Sequence, residues 1–395
     1  MNKKVAIIIE RTNINLGGAE RSIFELKTQL SAKGVNVDIL ATKGQKSSEH
    51  IKILCQNNKR RRTNYRTFAN ALKKHFKTNS YDIIHSVLPF DFADIYQPRG
   101  GSYAESIQQN ALSYQNDFIT AYKKLTSFAN CRRTAILRAE KRLCRKTDGP
   151  IVAALSNYVA QQFKKHYNLP QDRITIIPNG VKINKEVNQK ESEKLRTQIL
   201  SQLKLKEADN PALLLFVANN FRLKGLTPLL TALRKTKNTK TRRLPYLVIA
   251  GNGKSKKYRT LAKKLGIQNR IIFLGSIRHI QNALVITDVA VLPTFYDPSS
   301  RFILEALAAC KPVITTKFNG ATDLFKQNIH GKVIDHPQNT DALAEAIIHF
   351  SNTENILQAA NAIIKDNLKQ KISIERVAIE LISLYETIIE KRRQL

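Results

Sequence analysis

The sequence predicts an α/β protein with two doubly wound parallel sheets. Short runs of β-branched and aliphatic residues alternate with longer segments of helical periodicity along most of the 395 residues. Such alternation is typical of parallel sheets, because the crossover between parallel strands usually contains a helix. A polar, charged segment near the middle of the chain interrupts the pattern, and a second series of the same kind follows it. We therefore expect two domains of similar size.

The first half of the chain opens with a predicted strand–helix–strand unit. Val5–Ile9 is a continuous apolar run, and residues 19–33 repeat apolar side chains at helical spacing. Further strands are predicted at residues 35–42, 81–87, 151–156 and 174–180. These elements make up a predicted first domain at residues 1–185, on which we expect the C-terminal helix, at about residues 374–395, to pack back.

The second half repeats the pattern after the segment "VKINKEVNQKESEK", which begins at Val181. That segment has no apolar periodicity, so we interpret it as an interdomain connection. Strands are then predicted at residues 212–219, 246–251, 271–276, 289–294 and 312–316. The predicted second domain covers residues 205–373.

Composition narrows the class of protein. With 42% hydrophobic and 24% charged residues the chain is globular rather than disordered. The basic residues at the start are followed by only five apolar side chains before Glu10, too few for the core of a signal peptide, and no window offers eighteen consecutive apolar residues. The four cysteines form no CxxC pair, so we predict reduced thiols, no metal site and a cytoplasmic protein.

The net charge of +34 indicates a polyanionic partner. Nucleic acid, an anionic membrane surface and a phosphorylated glycolipid all fit that charge, and an AT-rich genome with many lysine codons would also contribute to it. The sequence has no RNA-recognition signature, zinc-finger spacing or base-reading basic helix. We therefore predict no nucleic-acid partner.

Two acidic residues near the end of the second domain are the first candidates for a site. Asp297 follows a predicted strand and precedes Pro298, which is also the pattern of a structural helix N-cap. Glu305 lies in the apolar helical run "FILEALAA". Because an unpaired buried carboxylate costs several kcal/mol, Glu305 needs donors from the protein or from a ligand.

The segment between the two acids predicts an anion site. Ser299, Ser300 and Arg301 stand at the expected helix start, where backbone N–H groups lack helical partners and carry partial positive charge. Ligands of doubly wound folds bind at the carboxyl ends of the strands. A diphosphate on these amides, with hydroxylated groups on Asp297 and Glu305, would satisfy every polar group.

The stretch "PTFYDPSSRFILEALAACKPVITTKFNGATDLF" resembles the donor-binding signature of retaining glycosyltransferases of family 4. Further landmarks occur in the family's order: "GGAER", "IIPNGV", "FRLKGL", "VIAGNG" and "IIFLGSI". The resemblance covers nearly the whole chain and is greatest to the lipopolysaccharide core glucosyltransferases. It implies a GT-B fold, in which two Rossmann-like domains face each other across a cleft.

The resemblance also implies roles for residues of the second domain. Glu305 would hold the ribose hydroxyls of a nucleotide sugar, Asp297 would contact the transferred sugar, and the amides of Ser299, Ser300 and Arg301 would bind phosphate. Lys224, with Arg222, would face the diphosphate, although relatives place this arginine elsewhere. Gly275 and its loop would meet the nucleobase. The family usually has glycine where this chain has Ser300.

Two sites in the first domain are implied in the same way. Gly17 and Gly18 would close over the donor from the opposite domain, whereas an isolated Gly-Gly pair is more often a turn. Asp94 would lie next to the transferred sugar and orient it or the attacking hydroxyl.

The family implies transfer of a hexose with retention of configuration, without a metal ion or a cofactor. We predict UDP-glucose as donor and a glycolipid or lipopolysaccharide core as acceptor. Alternatives on the same scaffold are another hexosyltransferase, a sugar-nucleotide epimerase or a phosphorylase. The order of motifs disfavours the epimerase, and we find no sequence context for the pyridoxal-bearing lysine of a phosphorylase.

The basic residues concentrate in two segments of the first domain. Lys59–Lys77 has eight basic residues and no acidic one, and Lys123–Lys146 has nine and one. Beside the second, Tyr114, Phe118 and Tyr122 recur every four residues. This stripe is typical of a helix lying on an anionic membrane, and the alternative is a stripe that faces the core. We predict peripheral binding to the inner face of the cytoplasmic membrane.

Overall fold

The computed structural model describes residues 3–13, 18–44, 48–55, 63–126, 129–183, 186–238 and 243–394. The chain divides into two compact units. Unit 1 comprises Met1–Ala111, Asn116–Lys182 and Ser373–Leu395, and unit 2 comprises Leu112–Gln115 and Ile183–Ile372. Each unit contains one parallel sheet with helices, which confirms the prediction of two Rossmann-like α/β domains.

The described residues form thirteen strands. They are β1 Lys4–Arg11, β2 Asn36–Lys43, β3 Ile51–Ile53, β4 Ile83–Ser86, β5 Ile95–Tyr96, β6 Ile151–Ala154, β7 Ile174–Ile176, β8 Ala212–Val217, β9 Pro245–Ala250, β10 Ile271–Gly275, β11 Val289–Leu292, β12 Val313–Thr316 and β13 Gly331–Ile334. Three of them, β3, β5 and β13, were not predicted. β3 has only three residues, which is too short for a period-two pattern to stand out.

The described residues also form fifteen α-helices. They are α1 Gly18–Ala32, α2 Tyr65–Phe76, α3 Tyr103–Leu112, α4 Asp117–Thr126, α5 Cys131–Arg145, α6 Asn157–Tyr167, α7 Gln189–Leu203, α8 Leu226–Lys235, α9 Lys256–Lys264, α10 Ile280–Val285, α11 Arg301–Ala308, α12 Thr340–His349, α13 Thr353–Lys365, α14 Leu368–Lys371 and α15 Ile374–Arg393. Many begin at an asparagine or serine whose side chain accepts a hydrogen bond from the first turn, which explains where these helices start. These N-caps include Asn64, Asn130, Ser156, Asn188, Ser300, Asn339, Asn352 and Ser373.

The sheet of unit 1 has the order β3-β2-β1-β4-β5-β6-β7, with all paired strands parallel. Val5–Ile9 of β1 is fully buried at the centre of the sheet, as its uninterrupted apolar sequence predicts. Helices α1 and α15 pack together on one face, where Leu26 and Leu30 share a core with Leu381. The C-terminal helix is therefore part of unit 1.

The sheet of unit 2 has the order β10-β9-β8-β11-β12-β13 and is also parallel throughout its paired strands. From β8 the chain builds the sheet in one direction to β10, and it then returns to add β11 on the other side of β8. The pair β8–β11 is thus the topological switch point, where open parallel sheets form a crevice at their carboxyl edge.

The interpretation of the whole segment after Val181 as an interdomain connection was wrong. Its second part is the start of α7, whose N-cap Asn188 donates its backbone N–H to Asn282 Oδ1 at 3.1 Å. Asn282 in turn donates to Glu191 Oε2 at 2.8 Å. α7 therefore belongs to unit 2. Its apolar side chains are few, because only one face is covered by the unit.

A buried carboxylate joins four parts of unit 1. Glu140 of α5 is fully buried and accepts hydrogen bonds from Tyr96 Oη at 2.8 Å, Tyr167 Oη at 2.6 Å and the Tyr103 backbone N–H at 2.8 Å. Ser102 Oγ also donates to it at 3.4 Å. Burial outweighs these donors and raises the pKa of Glu140 to about 7.

We expect Glu140 to make the stability of unit 1 depend on pH. Its pKa is higher in the folded protein than in the unfolded chain, so the folded protein holds this proton more tightly. The free energy of unfolding should therefore fall as pH rises from 4.5 to about 7, by an amount on the order of 3 kcal/mol. Glu140→Gln should remove that part of the slope in urea unfolding between pH 5 and pH 8. The exposed control Glu193→Gln should keep it, and an equal slope in both variants would contradict the assignment.

Candidate functional site

The candidate site lies at the switch point of unit 2, where the loops after β8 and β11 meet. The backbone of the two loops is joined, because the Phe295 N–H donates to the Leu223 carbonyl at 2.9 Å. Thr294 Oγ1 donates to the same carbonyl at 3.2 Å. These bonds fix the positions of Lys224, one residue beyond Leu223, and of Asp297, two residues beyond Phe295.

Lys224 and Asp297 form a largely buried ion pair at this point. Lys224 Nζ lies 2.7 Å from Asp297 Oδ2 and donates to the Tyr296 carbonyl at 2.8 Å. The two side chains are 21% and 14% exposed, so the pair is only partly screened by water. The structure thus brings together two of the residues that the sequence predicts to act on the same ligand.

Gly225 makes this close approach possible. It has a left-handed backbone with φ of +80° and is the N-cap of α8. A Cβ built on Gly225 would lie 1.9 Å from the Pro293 carbonyl oxygen of the neighbouring loop. Only glycine satisfies both the conformation and the space.

Helix α11 begins at Arg301, directly after the loop that carries Asp297. Ser300 is its N-cap, with φ of −65° and ψ of 114°, and its Oγ accepts from the Ile303 N–H at 3.5 Å. This backbone conformation is open to any residue, which explains why serine can replace the glycine that is usual in the family.

The expectation that the amides of Ser299 and Ser300 are unpaired was wrong. The Ser299 N–H donates to Asp297 Oδ1 at 3.3 Å, and the Ser300 N–H donates to Asn319 Oδ1 at 3.0 Å. Asn319 follows β12, nineteen positions along the chain from Ser300. Sequence reasoning missed it, because no local pattern links residues so far apart.

Glu305 lies on α11 and has a protein donor. Arg301, one helical turn earlier, places its Nε 3.2 Å from Glu305 Oε1, and both side chains are almost completely buried. The guanidinium thus supplies the partner that a buried carboxylate requires. The family resemblance implied a role for the backbone of Arg301 only, whereas its side chain pairs with Glu305 at the i,i+4 spacing that favours ion pairs on a helix.

Arg222 lies close to Lys224 in sequence but contacts different groups. Its guanidinium stacks on the Tyr114 ring at 3.7 Å from the centroid, and Nη1 donates to Ser113 Oγ. Both partners belong to the short segment Leu112–Gln115 of unit 2. Burial lowers the pKa of Arg222. These contacts hold Arg222 against the segment Leu112–Gln115.

Gly275 ends β10 on the carboxyl edge of the same sheet. It has φ of +73°, and its carbonyl accepts from the Gly251 N–H at 2.7 Å. Gly251 has φ of +123°, and a Cβ there would lie 1.9 Å from the Ala218 carbonyl oxygen. The backbone of the loops after β8, β9 and β10 is thus closely packed at these two glycines.

Asp94 does not lie at the carboxyl edge of the unit 1 sheet. It precedes β5 at the amino edge, where its Oδ2 accepts from the Ile84 N–H at 2.6 Å and its Oδ1 pairs with Arg392 of α15. These contacts tie β4, β5 and the C-terminal helix together. We therefore place Asp94 outside the candidate site.

The glycine pair before α1 is only partly described. Gly18 is the exposed first residue of α1, after β1, and Gly17 lies outside the described residues.

Two features are absent from the described residues. No group of three or more His, Cys, Asp or Glu side chains in that part of the chain is arranged to hold a metal ion. No described helix combines the length and the apolar character needed to cross a membrane.

Two family models match the chain and together cover most of it. The model described as Glycosyltransferase Family 4 matches residues 16–185, and the model described as Glycosyl transferases group 1 matches residues 199–370. The chain belongs to glycosyltransferase family 4. The position of the ion pair at the switch point lies within the second match.

This family 4 glycosyltransferase is similar to the lipopolysaccharide glucosyltransferase WaaG of Escherichia coli strain K12. The two are 23% identical over 336 residues, which cover 84% of this chain and 85% of WaaG. The crystal structure of a WaaG, described as involved in lipopolysaccharide biosynthesis, superimposes with a TM-score of 0.76 at 19% identity, covering 96% of this chain and 99% of that one.

Two further proteins show the same likeness. The uncharacterized glycosyltransferase MJ1607 of Methanocaldococcus jannaschii is 25% identical over 245 residues, and this match spans only 60% of each chain. HepE of Anabaena, crystallised in complex with UDP and glucose, superimposes with a TM-score of 0.68 at 17% identity, covering 98% of this chain and all of HepE. The structural matches identify the fold as GT-B.

Replacing Gly225 tests how closely the two loops of the site must approach. Gly225→Ala adds a Cβ against the Pro293 carbonyl, so we expect the free energy of unfolding to fall by on the order of 3 kcal/mol or more. Gly266→Ala is a matched control in unit 2, because its φ of +66° is similar but a Cβ there has nothing within 4 Å. The control should lose only about 1–2 kcal/mol. Similar losses in both variants, measured by urea unfolding, would show that the loop contact is not tight.

Proposed function

We propose that this family 4 glycosyltransferase transfers glucose from UDP-glucose to a lipid-anchored glycan such as a lipopolysaccharide core, with retention of configuration and without a metal ion. The observation that carries the proposal is the Lys224–Asp297 ion pair at the switch point, next to the start of α11. WaaG is named as a glucosyltransferase of lipopolysaccharide, and HepE was crystallised with UDP and glucose. The name of WaaG supports glucose as the transferred sugar, and the complex of HepE supports UDP as the nucleotide.

Lys224 would neutralise the charge that grows on the diphosphate as the glycosidic bond breaks. Its ammonium is already held by Asp297 and by the Tyr296 carbonyl, so little reorganisation is needed when the donor binds. Asp297 would accept a hydrogen bond from a sugar hydroxyl, and Glu305, fixed by Arg301, would accept from the ribose hydroxyls. The positive end of α11 would face the phosphates.

The reaction would proceed on one face of the sugar. The bond between the anomeric carbon and the phosphate oxygen breaks, the acceptor oxygen forms the new bond, and the acceptor proton passes to the departing phosphate. No step requires a carboxylate of the protein to act as base. This fits Asp297, whose carboxylate is already paired with Lys224.

Donor turnover by variants of Lys224 and Glu305 tests the proposal. UDP-, GDP- and ADP-sugars are first compared by thermal shift, and products are then identified by mass spectrometry. Lys224→Met should lower kcat/KM about 100-fold or more, because a group that stabilises the leaving phosphate is removed. Glu305→Gln should raise the KM for the donor, because a charge-assisted hydrogen bond is weakened.

Lys235→Met is the matched control for Lys224. Lys235 also pairs with an aspartate of unit 2, Asp341 at 2.6 Å, but on the exposed surface. The control should turn over the donor at the wild-type rate. Near-normal turnover by Lys224→Met, or stabilisation by no nucleotide sugar at all, would contradict the proposal.

We further propose that α4 binds an anionic membrane. Phe118, Tyr122 and Leu125 form a stripe along this helix and are 88%, 61% and 75% exposed. Lys123 and Lys124 lie in its last turn, and both are exposed. An exposed apolar stripe with adjacent lysines is typical of a helix lying in the membrane interface. The alternative that these three side chains face the core is wrong.

The aromatic stripe predicted from Tyr114, Phe118 and Tyr122 does not include Tyr114 in the structure. Tyr114 is in the turn between α3 and α4 and stacks on Arg222. The basic residues of α5 are divided as well. Arg132 pairs with Glu10 at 2.7 Å, whereas Arg138, Lys141 and several later basic side chains are exposed. Lys59 and the three arginines that follow it lie outside the described residues.

Vesicle binding by the full chain tests the membrane proposal. Replacing Phe118, Tyr122 and Leu125 together by serine should weaken binding to phosphatidylglycerol vesicles at least tenfold, because each buried apolar side chain contributes roughly 1.5–3 kcal/mol. Replacing Leu357 and Ile364 of α13, which are 56% and 62% exposed, is a matched control and should leave vesicle binding unchanged.

The salt dependence of activity is a second test of the membrane proposal. Transfer to a vesicle-bound acceptor should fall as the salt concentration rises, while hydrolysis of free donor should not. Equal salt dependence of the two assays would argue against the proposal.

A further inference from the structure

Asn319 is a fully buried side chain at the centre of the candidate site. Its Oδ1 accepts from the Ser300 N–H at 3.0 Å and from the Ala321 N–H at 3.1 Å. Its Nδ2 donates to Thr315 Oγ1 at 2.9 Å. One amide group therefore connects the N-cap of α11, the segment after β12 and the end of β12 itself.

The backbone around Asn319 joins the same segments. The Asp297 N–H donates to the Phe318 carbonyl at 2.9 Å, and the Gly320 N–H donates to the Asp297 carbonyl at 2.9 Å. Thr315 is itself anchored, because its Oγ1 donates to the Leu292 carbonyl of β11 at 2.8 Å. Asn319 thus sets the positions of Asp297 and of the start of α11 relative to the sheet.

The Asn319 side chain carries no charge at the start of α11, and this neutrality has a consequence for ligand binding. The Ser300 N–H is one of the amides that an anion at a helix start would use, and here it is occupied by the neutral oxygen of Asn319. An aspartate in the same position has the same shape and would accept the same two hydrogen bonds. It would, however, place a negative charge where the phosphates of the donor are to bind, next to the carboxylate of Asp297.

We propose that Asn319 is a positioning residue for the donor diphosphate. Its neutral amide fixes the N-cap of α11 without repelling the phosphates, and it leaves them to Lys224 and to the helix beyond Ser300. This inference rests on the proposed function, since it assumes a nucleoside diphosphate at α11. It adds a residue whose role is to hold the anion site in place and to keep it free of a second negative charge.

Asn319→Asp tests the inference in the full chain at pH 8. The ligands are the nucleoside diphosphate that stabilises the wild type best and its uncharged nucleoside, both measured by calorimetry. We expect the Kd of the diphosphate to rise at least tenfold and that of the nucleoside to change less than twofold. The matched control is Asn339→Asp at the N-cap of α12, where the side chain accepts from the Ala342 N–H at 3.1 Å. It should change neither Kd.

A purely structural role predicts a different result. Asn319→Asp would then weaken both ligands equally or leave both unchanged, and either outcome would overturn the inference. If Asn319→Asp does not fold, Thr315→Val replaces it, because this variant frees the Asn319 amide without touching the helix start. Diphosphate binding should then weaken at least threefold with nucleoside binding unchanged, and equal losses would overturn the inference. If the wild type binds no UDP, GDP or ADP ligand, this result would instead contradict the proposed function.

Discussion

The contact between the loops after β8 and β11 is the constraint on which the rest of unit 2 depends. These strands are neighbours only because the chain reverses the direction in which it builds the sheet after β10. The chain leaves these two strands in opposite directions at the carboxyl edge of the sheet, so a crevice forms between their loops. Oppositely charged side chains from the two loops can meet in this crevice. Lys224 and Asp297 meet there at 2.7 Å, and the close approach requires a glycine directly after the lysine. The ion pair is thus a product of topology.

The beginning of α11 is organised around that contact by side chains rather than by free amides. Asp297, Asn319 and Ser300 each accept from a backbone N–H of this segment. The charges are paired within the protein, with Lys224 on Asp297 and Arg301 on Glu305. A buried charge left without its partner costs several kcal/mol, so the pairs hold the acidic groups in fixed positions. The charged side chains of the site are thus held in position before any ligand binds.

The surface of unit 1 carries part of the chain's excess of positive charge. The chain carries 65 basic and 31 acidic residues, and part of the excess lies on the exposed faces of α4 and α5. Some of these residues are taken up by internal ion pairs, such as Arg132 with Glu10. The others stand beside the exposed aromatic stripe of α4, where an anionic lipid and a phosphorylated acceptor would be attracted by the same field.

The sequence by itself determined the two α/β domains, the strands of their cores and the candidate residues Lys224, Asp297 and Glu305. These features depend on local periodicity and on short motifs, which can be recognised without knowing which distant segments pack together. Only the tertiary structure decided that Asp94 lies at the amino edge of its sheet, that α7 belongs to unit 2, and that Asn319 occupies the Ser300 amide. Each of these depends on which distant segments pack together, and no local pattern encodes a hydrogen bond between residues nineteen positions apart.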